Sequence, residues 1–470
     1  MNILKSILLL VVLITLNTVT NINTVYAMDT YDYVVIGGGA AGIAAARTFR
    51  DNNYSVLILE GNTRYGGRVY SYQGPSGFPY PVELGGAWVH HQNVNPMYNL
   101  TLQSGLGMML FDQGNSAVFD SGKLLSQTQV NKFVGRYLAY YAAADAFRAN
   151  NISDEYAFAL AGYFGGDNRI ETTIQFFEEQ WAGNNTKYHN SLMWDNRTDA
   201  ELGPDHMIPT GYIKLFDYLL DRSPSIRSNL KLNSIATNIN YQGTDGTVIV
   251  TYTNYGQVYQ VKALYGAVVT VSLGVLRNNV ITFNPPLPQA HVDSINKLMF
   301  SAVNKVALFF NSTGEDLLNG NKLEKNYMFR IPYGATPRYD DPLTCFINWE
   351  HVLGQPVITS FFQGDASHAY ELLTDAEIIS KHMVAIRDII PDMPDPMHYV
   401  VTRWGQDPFF YGSWTDFAVG STEVDLNQLA VPLGVNNNVM LAGEASNWPD
   451  QGTVYSAYIS GISAANYLMT

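Results

Sequence analysis

The N-terminal part of the chain alternates between short apolar runs and glycine-rich turns. The apolar residues 32–36 predict a buried strand, and the alanine-rich residues 43–50 predict a helix. A second apolar run, Val56–Leu59, predicts another strand, which ends at Glu60. This order of strand, helix and strand is typical of a βαβ unit, in which the two strands lie parallel.

Three later segments carry informative patterns. Residues 247–252 and 257–262 alternate apolar and polar positions around Asn254, Tyr255 and Gly256, which predicts a β-hairpin. Residues 130–147 favour a helix and contain no phosphate-binding motif. Lys305 stands next to the apolar run 306–310, where burying a lysine is costly unless it has a purpose. The alternative is a strand lysine that faces solvent.

The turn after the first strand has the spacing of a dinucleotide site. Gly37, Gly39 and Gly42 fit G-x-G-x-x-G. The first glycine permits a tight turn, the second lets the backbone approach a pyrophosphate, and the third lets helix and strand pack closely. The phosphates lie at the helix N-terminus, where free N–H groups favour an anion. Glu60, 18 residues after Gly42, is near the spacing at which a carboxylate binds a ribose hydroxyl. The alternative is a purely structural glycine turn.

A second glycine turn, Gly66 and Gly67, is followed by Arg68. A glycine turn and an arginine just after the ribose-binding acid suit a cofactor that lies extended through the protein. Arg68 is therefore a candidate to neutralise a phosphate or to hold the edge of a flavin. The alternative is an ordinary surface arginine.

Composition narrows the class of protein. The chain has 470 residues, of which 47% are hydrophobic and 14% charged, so it is globular and long enough for two or more lobes. Lys and Arg number 27 against 41 Asp and Glu, a net charge of −14, which argues against a nucleic-acid partner. Cys345 is the one cysteine, so an internal disulfide and a multi-cysteine zinc site are excluded, and no metal is expected.

The first 27 residues predict a secretory signal peptide. Lys5 precedes an apolar stretch, residues 7–16, that is too short to span a bilayer comfortably, and Ala27 is a small residue suited to cleavage. The alternative is an uncleaved membrane anchor. The sequence therefore predicts a secreted, N-glycosylated protein with no membrane association after cleavage. Six Asn-x-Ser/Thr sequons agree with export: Asn53, Asn99, Asn151, Asn184, Asn196 and Asn311.

Several segments resemble the flavin-dependent amine oxidases, and within them the polyamine oxidases. They include residues 83–90 (ELGGAWVH), 272–276 (SLGVL), 283–288 (FNPPLP) and 304–306 (NKV). Residues 403–404 (RW), 412–414 (GSW), 442–444 (AGE) and 452–461 (GTVYSAYISG) continue the series to the C-terminal flavin motif. The landmarks keep the family's order along the chain.

The resemblance implies an α/β fold, with a Rossmann-like FAD-binding domain interleaved with an α+β substrate-binding domain. The expected FAD-binding pieces are residues 31–115, 206–300 and 396–470. The expected substrate-binding pieces are residues 116–205 and 301–395. The FAD is expected to be non-covalent, because Cys345 lies about 100 residues before the C-terminal flavin motif, near which the monoamine oxidases carry their flavin-linking cysteine.

The resemblance also implies roles for individual residues. In this family a lysine at the position of Lys305 holds a water against flavin N5. Trp404 and Trp414 are expected to line the flavin face, and the alternative for both is packing in the core. The catalytic candidates are Lys305, His90, Trp404 and Trp414. The cofactor-binding candidates are Gly37, Gly39, Ala41, Gly42, Glu60, Arg68, Gly86, Ala87, Trp88, Ile235, Glu444, Thr453 and Val454.

The sequence departs from the plant-type polyamine oxidases at two positions. Thr453 and Val303 stand where those enzymes carry tyrosines, and residues 176–181 (FFEEQW) are expected to supply an acidic anchor for the substrate. Which polyamine is oxidised, which bond is cleaved and how many subunits assemble are left open by the sequence.

The expected activity is oxidation of a polyamine by hydride transfer to flavin N5, with O₂ as the acceptor and H₂O₂ as a product. One alternative is an L-amino-acid or monoamine oxidase of the same superfamily. Another is a flavin-binding protein without catalysis. An NAD dehydrogenase is disfavoured, because the C-terminal Gly-Glu segment would then have no role.

Overall fold

The computed structural model describes residues 28–112, 114–147, 150–162, 183–189, 202–243, 245–311, 324–331 and 341–470, with residues 169, 173 and 179. The predicted signal peptide and the sequon at Asn196 lie outside the described residues. The other five sequon asparagines are described. Asn53, Asn99, Asn151 and Asn311 are exposed, and Asn184 is half-buried.

Among the residues described, the strands form two large sheets and three short pairs. In chain order they are β1 (Asp29–Ile36), β2 (Val56–Leu59), β3 (Ser71–Tyr72), β4 (Val82–Glu83), β5 (Met109–Leu110), β6 (Ser116–Asp120), β7 (Lys123–Leu124), β8 (His206–Met207), β9 (Leu230–Lys231), β10 (Ser234–Asn240), β11 (Val248–Asn254), β12 (Gln257–Val269), β13 (Thr282–Asn284), β14 (Met299–Ser301), β15 (Val303–Phe309), β16 (Tyr327–Ile331), β17 (Cys345–Asn348), β18 (Val357–Gln363), β19 (His398–Val401), β20 (Trp414–Asp416) and β21 (Val439–Leu441).

Helices connect and cover these strands. In chain order they are α1 (Ala40–Asp51), α2 (Pro96–Ser104), α3 (Gln127–Asp145), α4 (Asp154–Leu160), α5 (Ile213–Asp221), α6 (Leu273–Arg277), α7 (Gln289–Lys297), α8 (Trp349–Leu353), α9 (Gly364–Glu371), α10 (Asp375–Ile389), α11 (Glu423–Leu429) and α12 (Val454–Leu468), with short 3₁₀ turns at Arg227–Asn229 and Glu444–Ser446. In the part of the chain that the structure describes, no helix is both long and apolar enough to span a membrane.

The first sheet has the order β13-β10-β11-β12-β1-β2-β9, and β21 also pairs with β12. Val35 at its centre pairs in parallel with Ile58 on one side and Val268 on the other. The predicted strands are therefore confirmed, with β1 three residues longer at its start (29 against 32). The predicted hairpin is confirmed as β11 and β12, joined by Tyr255 and Gly256 at φ 47° and 79°.

Helix α1 begins at Ala40 instead of the predicted residue 43, so Gly42 lies inside its first turn. A Cβ on Gly42 would lie 1.9 Å from the Gly37 carbonyl oxygen, so the helix can start this close to β1 only with glycine there. Helix α12 packs against α1 in the same way. A Cβ on Gly461 would lie 2.1 Å from the Ala41 oxygen.

The second sheet has the order β19-β15-β18-β17-β16-β6-β7. Its strands come from residues 116–124 and 303–401, whereas those of the first sheet come from 29–59, 230–284 and 439–441. The two halves of the molecule are therefore interleaved along the chain. Because β19 pairs with β15, the second sheet continues past the predicted boundary at residue 395.

Strand β15 is buried along its whole length. Val306 and Leu308 pack in one cluster with residues of α10, such as Ile386. Ala307 and Phe309 point to the opposite face and pack in another cluster, which the half-buried Trp88 of the first half joins. Lys305 shares this second face by strand alternation, so the fold directs it toward the first half of the molecule.

Candidate active site

A cavity of about 560 Å³ lies between the two halves, within the range of small-molecule sites. Every site residue predicted from the sequence lines it, except Gly42. The predicted residues are thus brought together from segments that lie far apart in the chain. Gly42 acts instead through its close approach to Gly37.

One end of the cavity is built from the two glycine turns. Gly37 has φ 111°, a conformation that favours glycine, and a Cβ there would lie 2.4 Å from the Thr270 hydroxyl. Gly39 precedes α1, and no side chain caps the helix N-terminus. A Cβ on Gly67 would lie 3.3 Å from the Gly39 Cα, so the two turns touch backbone to backbone. The uncapped N–H groups of α1 thus lie where a pyrophosphate can approach.

Glu60 follows β2 at the same end. Its Oε2 accepts a hydrogen bond from the Gly38 N–H at 2.6 Å, and Oε1 accepts from the Asn62 N–H at 2.7 Å. Burial raises the pKa of this carboxyl, and the hydrogen bonds from Asn62 and Gly38 oppose the rise. Each carboxylate oxygen has a second lone pair, so Glu60 can still accept from two ribose hydroxyls.

Arg68 and Glu444 form an ion pair across the cavity wall. Arg68 Nη1 donates to Glu444 Oε1 at 2.7 Å and to the Ser413 carbonyl at 2.7 Å. Glu444 Oε2 also accepts from the Thr415 N–H at 3.2 Å and the Gly452 N–H at 3.0 Å. Glu444 therefore joins β20, the start of α12 and the second glycine turn. The predicted contacts of both side chains with FAD stay predictions.

The remaining cofactor-binding candidates line the wall around these residues. Gly86 is packed so closely on α12 that a Cβ would lie 2.8 Å from Val454 Cγ2. Thr453 caps α12 by accepting from the Ser456 N–H. Ala87 is buried, and Ile235 is 39% exposed, which places it at the open end of the cavity.

Lys305 lines the cavity and is buried, with 7% of its surface exposed. Its Nζ donates to the carbonyl oxygens of Gly85 at 2.6 Å and Glu83 at 3.0 Å. It also lies 5.3 Å from the ring centre of Trp88 and 5.1 Å from that of Phe361. The alternative of a lysine that faces solvent is therefore wrong. The catalytic role of Lys305 stays a prediction.

Burial shifts the protonation of two neighbouring groups toward neutrality. Burial lowers the pKa of Lys305 to about 8, and the charge of Glu83 opposes this shift. Burial raises the pKa of Glu83 to about 7, against hydrogen bonds from the Tyr212 N–H and the Ser71 hydroxyl. A lysine that loses its proton near pH 8 can exist in both forms near neutral pH.

Aromatic side chains form the walls beside Lys305. Trp404 is buried, donates from Nε1 to the Leu84 carbonyl at 3.3 Å and packs edge-on against Phe410. Trp414 begins β20 and lines the cavity. The buried Nε1 of Trp88 has no hydrogen-bond partner within the described residues. An orphaned buried donor in a cavity wall is expected where a ligand supplies the acceptor.

Asn304 holds Trp404 in place from behind the wall. Its Oδ1 accepts from the Trp404 N–H at 2.8 Å, and its Nδ2 donates to Glu371 Oε1 at 2.7 Å. The same Glu371 oxygen accepts from the Gly405 N–H at 2.7 Å. The sequence offered no signal for this network, because its members meet only when α9 packs on β15.

His90 lies at the mouth of the aromatic region, and its side chain is 29% exposed. Its Nδ1 lies 2.8 Å from Asp205 Oδ2, and the His91 N–H donates to Asp205 Oδ1 at 3.0 Å. Burial tends to raise the pKa of Asp205, but His90 and His91 outweigh it and lower that pKa. Asp205 therefore fixes the orientation of the His90 ring, leaving Nε2 for the cavity.

The expected acidic anchor in residues 176–181 falls outside the described residues, except for Glu179. Glu179 is buried and accepts from Asn185 Nδ2 at 3.0 Å and the Thr186 N–H at 3.1 Å. It does not line the cavity. Another acid, Asp416, does line it and was missed. Strand alternation was the available signal, since Asp416 stands two residues after Trp414 on β20.

The cavity fits FAD in three respects. An uncapped helix N-terminus and a buried carboxylate lie at one end, where a dinucleotide needs them, and an orphaned indole donor lies in the wall near Lys305. Cys345 is buried and does not line the cavity, in agreement with non-covalent binding. Glu60 and the two glycine turns would hold the adenosine and pyrophosphate, and the aromatic end would hold the flavin ring.

Comparison with known proteins agrees with this assignment. The family model described as flavin containing amine oxidoreductase matches residues 40–469. Polyamine oxidase 2 of Arabidopsis thaliana is 28% identical over 92% of this chain and 86% of its own length. Polyamine oxidase 5 of Oryza sativa subsp. japonica is 27% identical over the same shares, 92% and 86%.

A second group of relatives carries a different name. Lysine-specific histone demethylase 1 homolog 3 of Oryza sativa subsp. indica is 29% identical over 92% of this chain. This chain spans about half of that relative, 53% of its length. The matched region thus covers nearly the whole of this chain in both groups.

Proposed function

This chain belongs to the flavin-containing amine oxidoreductase family, and we propose that it is an FAD-dependent oxidase of polyamines. Glu60 and the two glycine turns would hold FAD, which would supply the two-electron oxidation of the amine to an imine, with O₂ as the final acceptor and H₂O₂ as its product. The observation that carries the proposal is Lys305, buried beside the Trp88 and Phe361 rings in the wall of the cavity that the dinucleotide features also line.

The hydrogen bonds of Lys305 define what it can offer a ligand. Two of its N–H groups are held by the Glu83 and Gly85 carbonyls. As an ammonium it has one further donor, and as a neutral amine it has one lone pair. With a pKa of about 8, it can change between these states near neutral pH. It can therefore hold a water in the cavity and move a proton through it.

The walls favour a thin cationic substrate. Trp404 and Trp414 offer flat surfaces, and an ammonium beside such a ring gains about 0.5–2 kcal/mol. Among the described residues, Arg68 is the one arginine in the cavity wall, and its guanidinium is paired with Glu444. An amino-acid oxidase requires an arginine that binds the substrate carboxylate. Because Arg68 is already paired with Glu444, the site favours an amine that has no carboxylate.

Peroxide release tests the proposal. The purified yellow protein is supplied with spermine, spermidine, their acetylated forms, tyramine, leucine and a methylated lysine peptide, and H₂O₂ is measured for each. The highest kcat/KM is expected for a polyamine. A preference for leucine or tyramine would move the chain to the alternative oxidases. If the flavin-loaded protein is inactive on every amine, the result would reject the oxidase and support the alternative of a flavin-binding protein without catalysis.

We also propose that the protein is exported and glycosylated. The support is the apolar N-terminal segment and four exposed sequon asparagines, Asn53, Asn99, Asn151 and Asn311. Expression in a secreting eukaryotic host is expected to yield mature protein starting near Met28, with a mass that falls on glycosidase treatment. An intact residue 1 on protein retained in the cell would contradict export.

A further inference from the structure

Asp416 places a carboxylate on the cavity wall beside the aromatic region. On β20, Trp414 and Asp416 alternate with Thr415, so both face one side of the strand. Thr415 faces the other side, where its hydroxyl donates to Glu444 Oε1 at 3.1 Å. Trp414 and Asp416 line the cavity, as does Thr415 between them, and the Asp416 side chain is 18% exposed.

A short segment behind β20, residues 183–189, fixes this arrangement; we call it the backing loop. Gly183 lies so close to Trp414 that a Cβ would be 2.5 Å from its ring, at φ 70°. At the other end of the loop, His189 Nε2 lies 3.2 Å from Asp416 Oδ2, while Nδ1 binds Asp154. The loop thus contacts Trp414 at one end and Asp416 at the other.

His189 lies between two carboxylates, those of Asp154 and Asp416. Burial alone would lower the pKa of His189, but the charges of Asp154 and Asp416 outweigh it and hold that pKa well above its usual value. One imidazolium therefore faces two carboxylates. Asp154 is the more deeply buried, with 3% of its side chain exposed, and is the closer partner. Asp416 is the carboxylate of this cluster that reaches the cavity.

Asp416 also keeps hydrogen-bonding capacity. Oδ1 accepts from the Phe417 N–H at 2.8 Å and lies 3.5 Å from Gln451 Nε2, and Oδ2 faces His189. A carboxylate has about four acceptor positions, so one remains. Gln451 also lines the cavity, and its buried Oε1 has no partner among the residues described. The Asp416 carboxylate and Gln451 Oε1 are therefore two neighbouring acceptors, which suit a positively charged donor with several N–H groups.

We propose that Asp416 and Gln451 form a subsite for a second ammonium group of the substrate, distant from the nitrogen whose neighbouring carbon is oxidised. This inference rests on the proposed function and names the residues that bind the second cationic nitrogen of such an amine. Asp416 acts by contact with the substrate, and His189 acts through Asp416 as a positioning residue. The backing loop contacts both side chains, with Gly183 against the Trp414 ring and His189 against the Asp416 carboxylate.

Binding to the FAD-loaded protein whose flavin has first been reduced with dithionite tests the subsite without turnover, because an amine cannot transfer electrons to a reduced flavin. Straight-chain diamines of four to ten carbons and n-alkylamines of matched length are titrated anaerobically, and isothermal titration calorimetry gives Kd. The wild-type protein is expected to bind the best diamine about ten- to a hundredfold more tightly than its matched monoamine, the range for a hydrogen bond to a charged group. Equal affinities would overturn the proposal, and this comparison needs no variant.

The variant Asp416→Asn is expected to bring the ratio of the two Kd values close to one. The matched control is Asp365→Asn. Asp365 binds the backing loop through Lys187 at 2.6 Å but does not line the cavity, so the ratio should be kept. A ratio that survives in Asp416→Asn, or that collapses equally in both variants, would overturn the subsite. Peroxide release from the same amines judges the proposed function separately, so the two failures can be told apart.

Discussion

Replacing Lys305 with methionine separates the cost of burying this lysine from its chemical use. Methionine has a similar length and no charge. The fall of the Lys305 pKa from 10.5 to about 8 corresponds to about 3 kcal/mol at about 1.4 kcal/mol per unit. The substitution removes this burial cost at pH 7. It also leaves the carbonyls of Glu83 and Gly85 without their donor, which costs about 1–3 kcal/mol each.

These effects oppose each other, so the free energy of unfolding of Lys305→Met should differ from the wild type by less than about 3 kcal/mol at pH 7. The variant is expected to fold and to keep its yellow colour. Flavin reduction by the amine should slow about a hundredfold or more, the usual size of a lost proton-transfer group. Stopped-flow absorbance measures this rate, and Lys132→Met, at an exposed position of α3, is the control.

The pH dependence gives a second signature. Between pH 8 and 10.5 the folded wild-type protein has released the Lys305 proton while the unfolded chain still holds it. Stability therefore rises with pH in this window, by about 3 kcal/mol in total, and the burial cost is fully present below pH 8. In Lys305→Met this rise is absent. Denaturant unfolding of both proteins across the window measures the difference. A difference that stays constant with pH, or full activity in the variant, would refute the reasoning.

Three further changes test other parts of the site. Glu60→Ala should weaken FAD binding about ten- to a hundredfold, seen as a lower ratio of flavin to protein absorbance after dialysis, and unchanged flavin content would contradict the ribose assignment. Gly42→Ala should destabilise the fold by about 3 kcal/mol or more in denaturant unfolding, because its Cβ would meet the Gly37 oxygen at 1.9 Å. Gly107→Ala, where no atom lies within 4 Å of the added Cβ, should change stability by less than about 1 kcal/mol, and equal effects would disprove the steric argument. Glu83 has a pKa of about 7 in the folded protein against an ordinary 4.5, so the wild type should lose about 3 kcal/mol of stability as the pH rises from 4.5 to 7. Glu83→Gln should show no such loss in denaturant unfolding. Parallel curves of unfolding free energy against pH for the two proteins would argue against the shift.

Several features were predictable because their causes are local. The alternation of residues 247–262 and the turn at Tyr255 and Gly256 gave the hairpin, since a two-residue turn with positive φ joins antiparallel strands. The spacing of Gly37, Gly39 and Gly42 between apolar runs gave the βαβ unit. The start of α1 was misplaced by three residues (40 against 43), because a glycine normally disfavours a helix and only its contact with Gly37 requires it.

The direction of Lys305 was not decided by its neighbours in the sequence. Strand β15 is buried on both faces, so its apolar pattern does not distinguish the face under α10 from the face toward the cavity. The sequence also could not pair Arg68 with Glu444, which lie 376 residues apart, or bring His189 to Asp416. Such contacts depend on how the two sheets pack.

The sequence by itself determined the family, the cofactor and the residues that line one cavity, because glycine turns, strand ends and short motifs are read over a few neighbouring positions. Only the tertiary structure decided which charges face each other, which donors are already used and which acceptors remain open. Burial and distance set pKa values and hydrogen bonding, and both arise from segments that meet only when the chain is folded.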